Sequence, residues 1–255
     1  MKLIWTFNSR GGNDIVRLNS KKITIINYYI HSITEAKKLG YHTIIYTNLP
    51  EYFSEIADEV IDTTIQEDSS VWVNLKLKVM EQRNDEYCLI DPDVILRKRL
   101  PKIQDGVMFD TYEMGNWDVE YAEQIQQLKD LGIENVFSFW DSKKRPVINC
   151  GILYIKSKLL KDEFVKNWQV YRKWLRDNTT SDMINIDSAA MIGEEYLITL
   201  LSETLNIQKH PVNEYMGQIG EYYTHHFGIR KFINPIVPTE YICLLYTSDA
   251  ADDTP

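Results

Sequence analysis

Short apolar runs alternate with stretches of helical period along the first part of this chain, and that alternation limits its fold more than any other feature. Leu3 to Phe7 reads as a first strand, followed by a glycine-containing loop from Asn8 to Asn13. Ile23, Ile26, Ile30 and Ile33 recur at helical spacing, and Gly40 closes that helix after Lys37 and Lys38. Tyr41 to Tyr46 is the next strand, Pro50 to Ala57 a short helix, and Val60 to Ile61 a brief third strand. Val71, Leu75 and Val79 line one helical face ahead of an apolar run, Tyr87 to Ile90. Strands joined by crossovers of this length predict an α/β fold with a mostly parallel sheet covered on both faces.

Further on the pattern becomes mixed. Val107 to Phe109 predicts a strand and Val119 to Leu131 a helix closed by Gly132. Val147 to Ile155 is extended but interrupted by Asn149, Cys150 and Gly151. Phe164 to Leu175 predicts a helix, and Ile186 to Leu205 another that is broken or curved near Gly193. With no internal repeat and no long linker, residues 1–240 read as a single domain. Residues 241–255 change character: an apolar run gives way to a small, acidic tail that also resembles translated sequencing-adapter readthrough, and no function is assigned to it.

A formal charge of -9 argues against general nucleic-acid binding, because phosphate backbones attract basic surfaces. It remains compatible with a small anionic substrate where a metal ion and a few lysines reverse the local field. Cys88, Cys150 and Cys243 are odd in number and widely spaced, with no Cys-x-x-Cys pair, so they read as buried thiols in a reducing compartment. No signal-peptide pattern opens the chain and no apolar run reaches membrane-spanning length. A cytoplasmic protein is expected, with peripheral membrane attachment left open.

Asp91-Pro92-Asp93 is the densest chemical signal. Two carboxylates lie two residues apart where a buried strand ends, and Pro92 cannot continue a ladder. Ligands in α/β proteins gather at such carboxyl edges. Hard oxygen donors this close suit Mg²⁺ or Mn²⁺ holding a substrate's phosphates, although Asp-Pro-Asp also occurs in ordinary turns. Thr224 to Lys231 supplies complementary chemistry. His225 or His226 would add a nitrogen ligand, which makes Mn²⁺ a reasonable choice beside Mg²⁺. Gly228 would let the backbone approach a diphosphate, and Arg230 or Lys231 would offset its charge. Paired histidines also simply pack or hydrogen-bond.

With these residues in place, the chain resembles nucleotide-sugar glycosyltransferases of the GT-A type. Asp91-Pro92-Asp93 matches their Asp-x-Asp motif. His225, Gly228 and Lys231 match the late His-x-x-Gly-x-x-Lys element of the retaining glycosyltransferase family eight, with Phe232 where a proline often follows. The resemblance implies a Rossmann-related mixed sheet flanked by helices. It also implies metal binding by Asp91, Asp93 and His225, and diphosphate contacts from Gly228 and Lys231. Asn149-Cys150-Gly151 looks like the family's Asn-Ala-Gly element beneath the sugar, with Cys150 in place of alanine. Asn149 would bond a sugar hydroxyl and Gly151 would admit the ring, or the three residues are a polar kink.

Lys76, ahead of Lys78, occupies the region of a donor-contacting lysine, while Thr6, Asn8 and Arg10 look like the part receiving base and ribose. Glu194 or Glu195 would orient an acceptor hydroxyl, or act as base if configuration inverts; Asp187 is an alternative, and a solvated helix turn explains the acids equally well. The expected activity is metal-dependent glycosyl transfer from a nucleotide diphosphate sugar to an acceptor hydroxyl. The alternatives are a sugar-phosphate nucleotidyltransferase and an inactive nucleotide-sugar-binding module.

Overall fold

The computed structural model describes residues 1–8, 15–18, 21–63, 73–113, 121–180, 183–213 and 221–225, with the backbone alone at 15–18, 21–24 and 187. The elements begin with β1 (Lys2–Phe7), β2 (Ile15–Leu18), β3 (Lys21–Thr24), α1 (Ile25–Lys38), β4 (His42–Thr47) and β5 (Glu59–Asp62). There follow α2 (Asn74–Gln82), β6 (Tyr87–Ile90), β7 (Val94–Leu96), β8 (Val107–Phe109), β9 (Tyr112–Glu113) and α3 (Ala122–Asp130). The remainder comprises β10 (Val147–Ile148), β11 (Ile152–Ile155), α4 (Lys158–Asn178), α5 (Ile186–Met191), α6 (Leu197–Thr204), β12 (Lys209–Pro211) and β13 (Tyr223–His225). They group into two compact units, one drawn from Met1–Gln66, Ile90–Arg99 and Gly217–Pro255, the other from Glu67–Leu89 and Leu100–Met216.

The first unit is built on the parallel strands β1, β4 and β5, with β1 registered Lys2 to His42 and β4 registered Ile44 to Glu59. Leu3, Ile4 and Trp5 are consecutive and all fully buried, as expected for a parallel strand covered on both faces. α1 is buried from Ile26 through Ile33 and packs on β4 and β7. Lys37 and Lys38 place positive charge on its last turn, and Gly40 takes the left-handed conformation that ends it. Ile23 lies outside this helix: it sits in β3, opposite Val16 of β2, in a hairpin that helical spacing alone did not anticipate. The helix expected over Pro50 to Ala57 is a 3₁₀ turn of Pro50–Tyr52 only.

In the second unit the strand order is β12-β8-β11-β6, with β11 antiparallel and β12 parallel to β8, so this sheet is mixed. α4 buries Leu160, Phe164, Trp168 and Tyr171, a stripe at helical spacing, and the Ser157 side chain caps its start. Between α5 and α6 the chain forms a π-helical turn, Ile192–Tyr196, where the sequence had predicted an interruption. Gly193 is required there because a Cβ would meet the Tyr171 ring at 2.3 Å. Among the described residues no helix is long and apolar enough to cross a membrane.

A buried relay ties the first unit together. Trp5 Nε1 donates to Ser32 Oγ at 3.0 Å, and Ser32 Oγ donates to the Val94 carbonyl at 2.6 Å. One hydroxyl thereby joins β1, α1 and β7. Ser32→Ala is expected to strand the indole donor and the carbonyl, costing about 1–3 kcal/mol in chemical denaturation.

Candidate functional site

β6 delivers the chain to a turn in which the Val94 N–H donates to the Asp91 carbonyl at 3.1 Å. Pro92 occupies the second position of that turn, where its fixed φ is favoured. β7 then pairs antiparallel with β13, with Val94 opposite His225, Ile95 opposite Thr224 and Leu96 opposite Tyr223. That register returns a distant histidine to the turn. His225 Nε2 lies 3.5 Å from Asp93 Oδ2, and both side chains are buried. Tyr28 of α1 shares this environment: burial first, and the Asp93 charge second, push its phenol up to about 12.

An imidazole nitrogen and a carboxylate oxygen bound to one divalent ion, each at about 2.1 Å, would lie roughly 3.0–3.4 Å apart. The Asp93–His225 separation of 3.5 Å lies just beyond that edge. Asp91 is half-buried at the start of the turn. Among the described residues no group of three or more His, Cys, Asp or Glu side chains converges on one point, so Asp91 does not complete a cluster with the pair. Thr6 and Asn8 flank the end of β1, and Tyr29 Oη donates to the Thr6 carbonyl at 2.7 Å. Arg10, His226, Gly228, Arg230 and Lys231 lie outside the described residues, as does the tail 241–255.

The second unit holds the other expected residues in a buried polar network. Lys76 Nζ pairs with Glu194 Oε1 at 2.8 Å and reaches the Cys150 carbonyl at 3.4 Å. Its ammonium is almost wholly buried, as is the Glu194 carboxylate, so this is a desolvated ion pair. Asn149 Oδ1 accepts from Gly151 N at 2.9 Å, while Asn149 Nδ2 donates to Glu113 Oε1. Glu195 Oε1 accepts from Cys150 N at 3.2 Å, and the Tyr121 hydroxyl lies 2.5 Å from Glu195 Oε2 and 2.9 Å from Glu113 Oε2. Sequence reasoning missed Glu113 and Tyr121; neither sits in a motif, and only the fold carries them to the 149–151 break.

Burial, followed by the nearby Glu113 and Glu194 charges, pushes the Glu195 carboxyl well above the usual range. Burial likewise raises the Tyr121 phenol, with Glu195 and Glu113 adding to the effect. Cys88 and Cys150 are buried and form no disulfide, and burial pushes the Cys88 thiol up. A cleft of about 490 Å³ opens elsewhere in this unit, lined by Tyr87 and Tyr154 at the starts and ends of the strands with Lys156, Lys158, Asp162 and Glu86. Its Lys156 and Lys158 pair with Glu86 and Asp162, and none of the expected site residues lines it.

No protein-family model matches the sequence, and no curated protein matches it. Among solved structures the chain is similar to the glycosyltransferase GlyE of Streptococcus pneumoniae TIGR4, with a TM-score of 0.41 and 11% identity. That likeness covers 98% of this chain and 64% of the GlyE chain. At this degree of similarity it carries no functional weight, which falls instead on the residues above.

The raised Glu195 acid has a measurable consequence. From the ordinary glutamate value of 4.5 upward, the unfolded chain releases this proton while the folded chain retains it. The folded state then binds more protons, so stability falls as pH rises through that window, by at most about 1.4 kcal/mol per pH unit. Glu195→Gln cannot titrate. Denaturation of both proteins across pH should show the wild type losing stability relative to Glu195→Gln as pH increases above the ordinary glutamate range.

Proposed function

We propose that this chain is a GT-A-like glycosyltransferase that moves a glycosyl group from a nucleotide diphosphate sugar to an acceptor hydroxyl. The observation that carries the reading is the buried meeting of Asp93 and His225, two metal-type donors 3.5 Å apart beside an acidic turn. Mn²⁺ or Mg²⁺ would be held by Asp93 and His225, and Asp91, which does not converge with them here, would have to turn toward the ion to join them. When bound, such an ion would neutralise diphosphate charge and so make the nucleoside diphosphate a better leaving group.

The chain's own residues would do the remaining work. Gly228 would give the diphosphate room against the backbone, and Lys231 would offset charge that develops on the leaving group. Thr6, Asn8 and Arg10 would receive the nucleoside. Gly151 would leave space for the sugar ring, and Asn149 would contribute its second amide hydrogen to a sugar hydroxyl, its first being given to Glu113. Lys76 would act through Glu194 and the Cys150 carbonyl, the groups it contacts.

Burial, with the Glu113 and Glu194 charges, favours the protonated form of the Glu195 carboxyl, and that form cannot serve as the base of an inverting reaction. Transfer with retention fits better, because the departing phosphate itself takes the acceptor's proton and no side-chain nucleophile is needed. Glu194, ion-paired with Lys76, would keep the charge of this region balanced rather than attack the sugar.

Mn²⁺ affinity, followed by electron paramagnetic resonance, tests the ion site directly. Asp93→Asn and His225→Ala should each weaken it by at least about tenfold, while Thr224, which alternates away from His225 along β13, should tolerate alanine. Equal affinity in folded variants would remove the site. A panel of UDP- and GDP-sugars supplies the second readout: nucleoside diphosphate release marks glycosyl transfer. Pyrophosphate release from a nucleoside triphosphate and sugar phosphate marks nucleotidyl transfer, and donor binding without turnover marks a binding module.

A further inference from the structure

The break between β10 and β11 is held by groups remote in sequence. Glu113 of β9 takes the Asn149 amide on one carboxyl oxygen, and Glu195 of the π-helical turn takes the Cys150 N–H on one of its own. The other oxygen of each carboxyl faces the same Tyr121 hydroxyl, at 2.9 Å and 2.5 Å. A phenol has one hydrogen to give. With both carboxyls ionised, one of these two contacts would set oxygen lone pairs against each other at hydrogen-bond distance, inside a buried site. The arrangement is satisfied only when a second hydrogen is present, carried by one of the carboxyls.

We infer that Glu113, Tyr121 and Glu195 are positioning residues that hold the Asn149-Cys150-Gly151 break through this carboxyl-borne proton, so that the shape of the break is linked to protonation. In the protonated state one carboxyl donates to the Tyr121 oxygen and the Tyr121 hydroxyl donates to the other. Each carboxyl then keeps an oxygen for its strand-break partner. Removing the proton to solvent leaves two carboxylates competing for one phenolic hydrogen. Other charged groups set the balance: Glu194, beside Glu195 in the same turn, adds negative charge, and Lys76 of α2 offsets Glu194. Burial of the phenol and of Glu195 opposes ionisation of either. Only the bearing of this device on a donor sugar rests on the transferase reading; the proton link itself does not.

The test uses the full chain without any sugar nucleotide. Hydrogen exchange of the Cys150 and Gly151 amides is followed across pH, corrected for intrinsic exchange and normalised to the amides of β11. In the wild type, relative protection should fall about tenfold as the carboxyl pair loses its proton, the scale of one hydrogen bond. Glu195→Gln brings its own hydrogens in place of the titrating one and should flatten that profile. Glu113→Gln should flatten it from the opposite end, which keeps the test intact if one variant fails to fold. Tyr121→Phe should lower protection at every pH. A pH-independent wild-type profile, or a glutamine variant with the wild-type profile, would overturn the inference. Loss of donor turnover with the exchange pattern intact would instead count against the transferase reading alone.

Discussion

Three residue pairs of antiparallel ladder, β13 on β7, bring His225 to Asp93. The pairing places His225 opposite Val94, next to Asp93, and the Arg97 and Lys98 N–H groups extend it by donating to the Tyr222 carbonyl. Side chains alternate along a strand, so a slip of one residue would turn His225 to the other face and present Thr224 instead. The ladder is too short to fix that register unaided. The Trp5–Ser32–Val94 relay holds β7 from the opposite side, through a carbonyl that belongs to the residue facing His225. The Ser32 hydroxyl in the core thus helps to hold the strand whose Val94 lies opposite His225.

Much of the fold was legible because burial writes itself into period. Tyr87 to Ile90 is a strand with the bounds its apolar run indicated, and the Asn149–Gly151 interruption does separate β10 from β11. Gly193 marked a real irregularity, although its cause, the Tyr171 ring resting where a Cβ would be, is a tertiary contact absent from local pattern. The β2–β3 hairpin escaped because Ile23 fits the helical series of Ile26, Ile30 and Ile33 by spacing alone. β7 escaped because Val94 to Leu96 is too short to separate from the turn before it. In the site, motif spacing singled out Asp93 and His225, whose meeting needed the ladder. Glu113 and Tyr121 had no such signal, since their importance arises only from what the fold sets beside them.

Glu194 and Glu195 show how far local environment overrides identity. They are adjacent and both buried, and sequence offered them as interchangeable candidates. The π-helical turn sends one to Lys76, whose ammonium compensates an ionised carboxylate, and the other to a phenol beside a second carboxyl, where burial and neighbouring negative charge oppose ionisation. Neighbouring acids held in different environments commonly take different roles. Within the proposed transfer, Glu194 is committed to a lysine, and burial favours the form of Glu195 that already carries a proton. If the reaction proposed above is correct, the acceptor's proton would pass to the departing phosphate, a route that asks no side chain in this network to act as base.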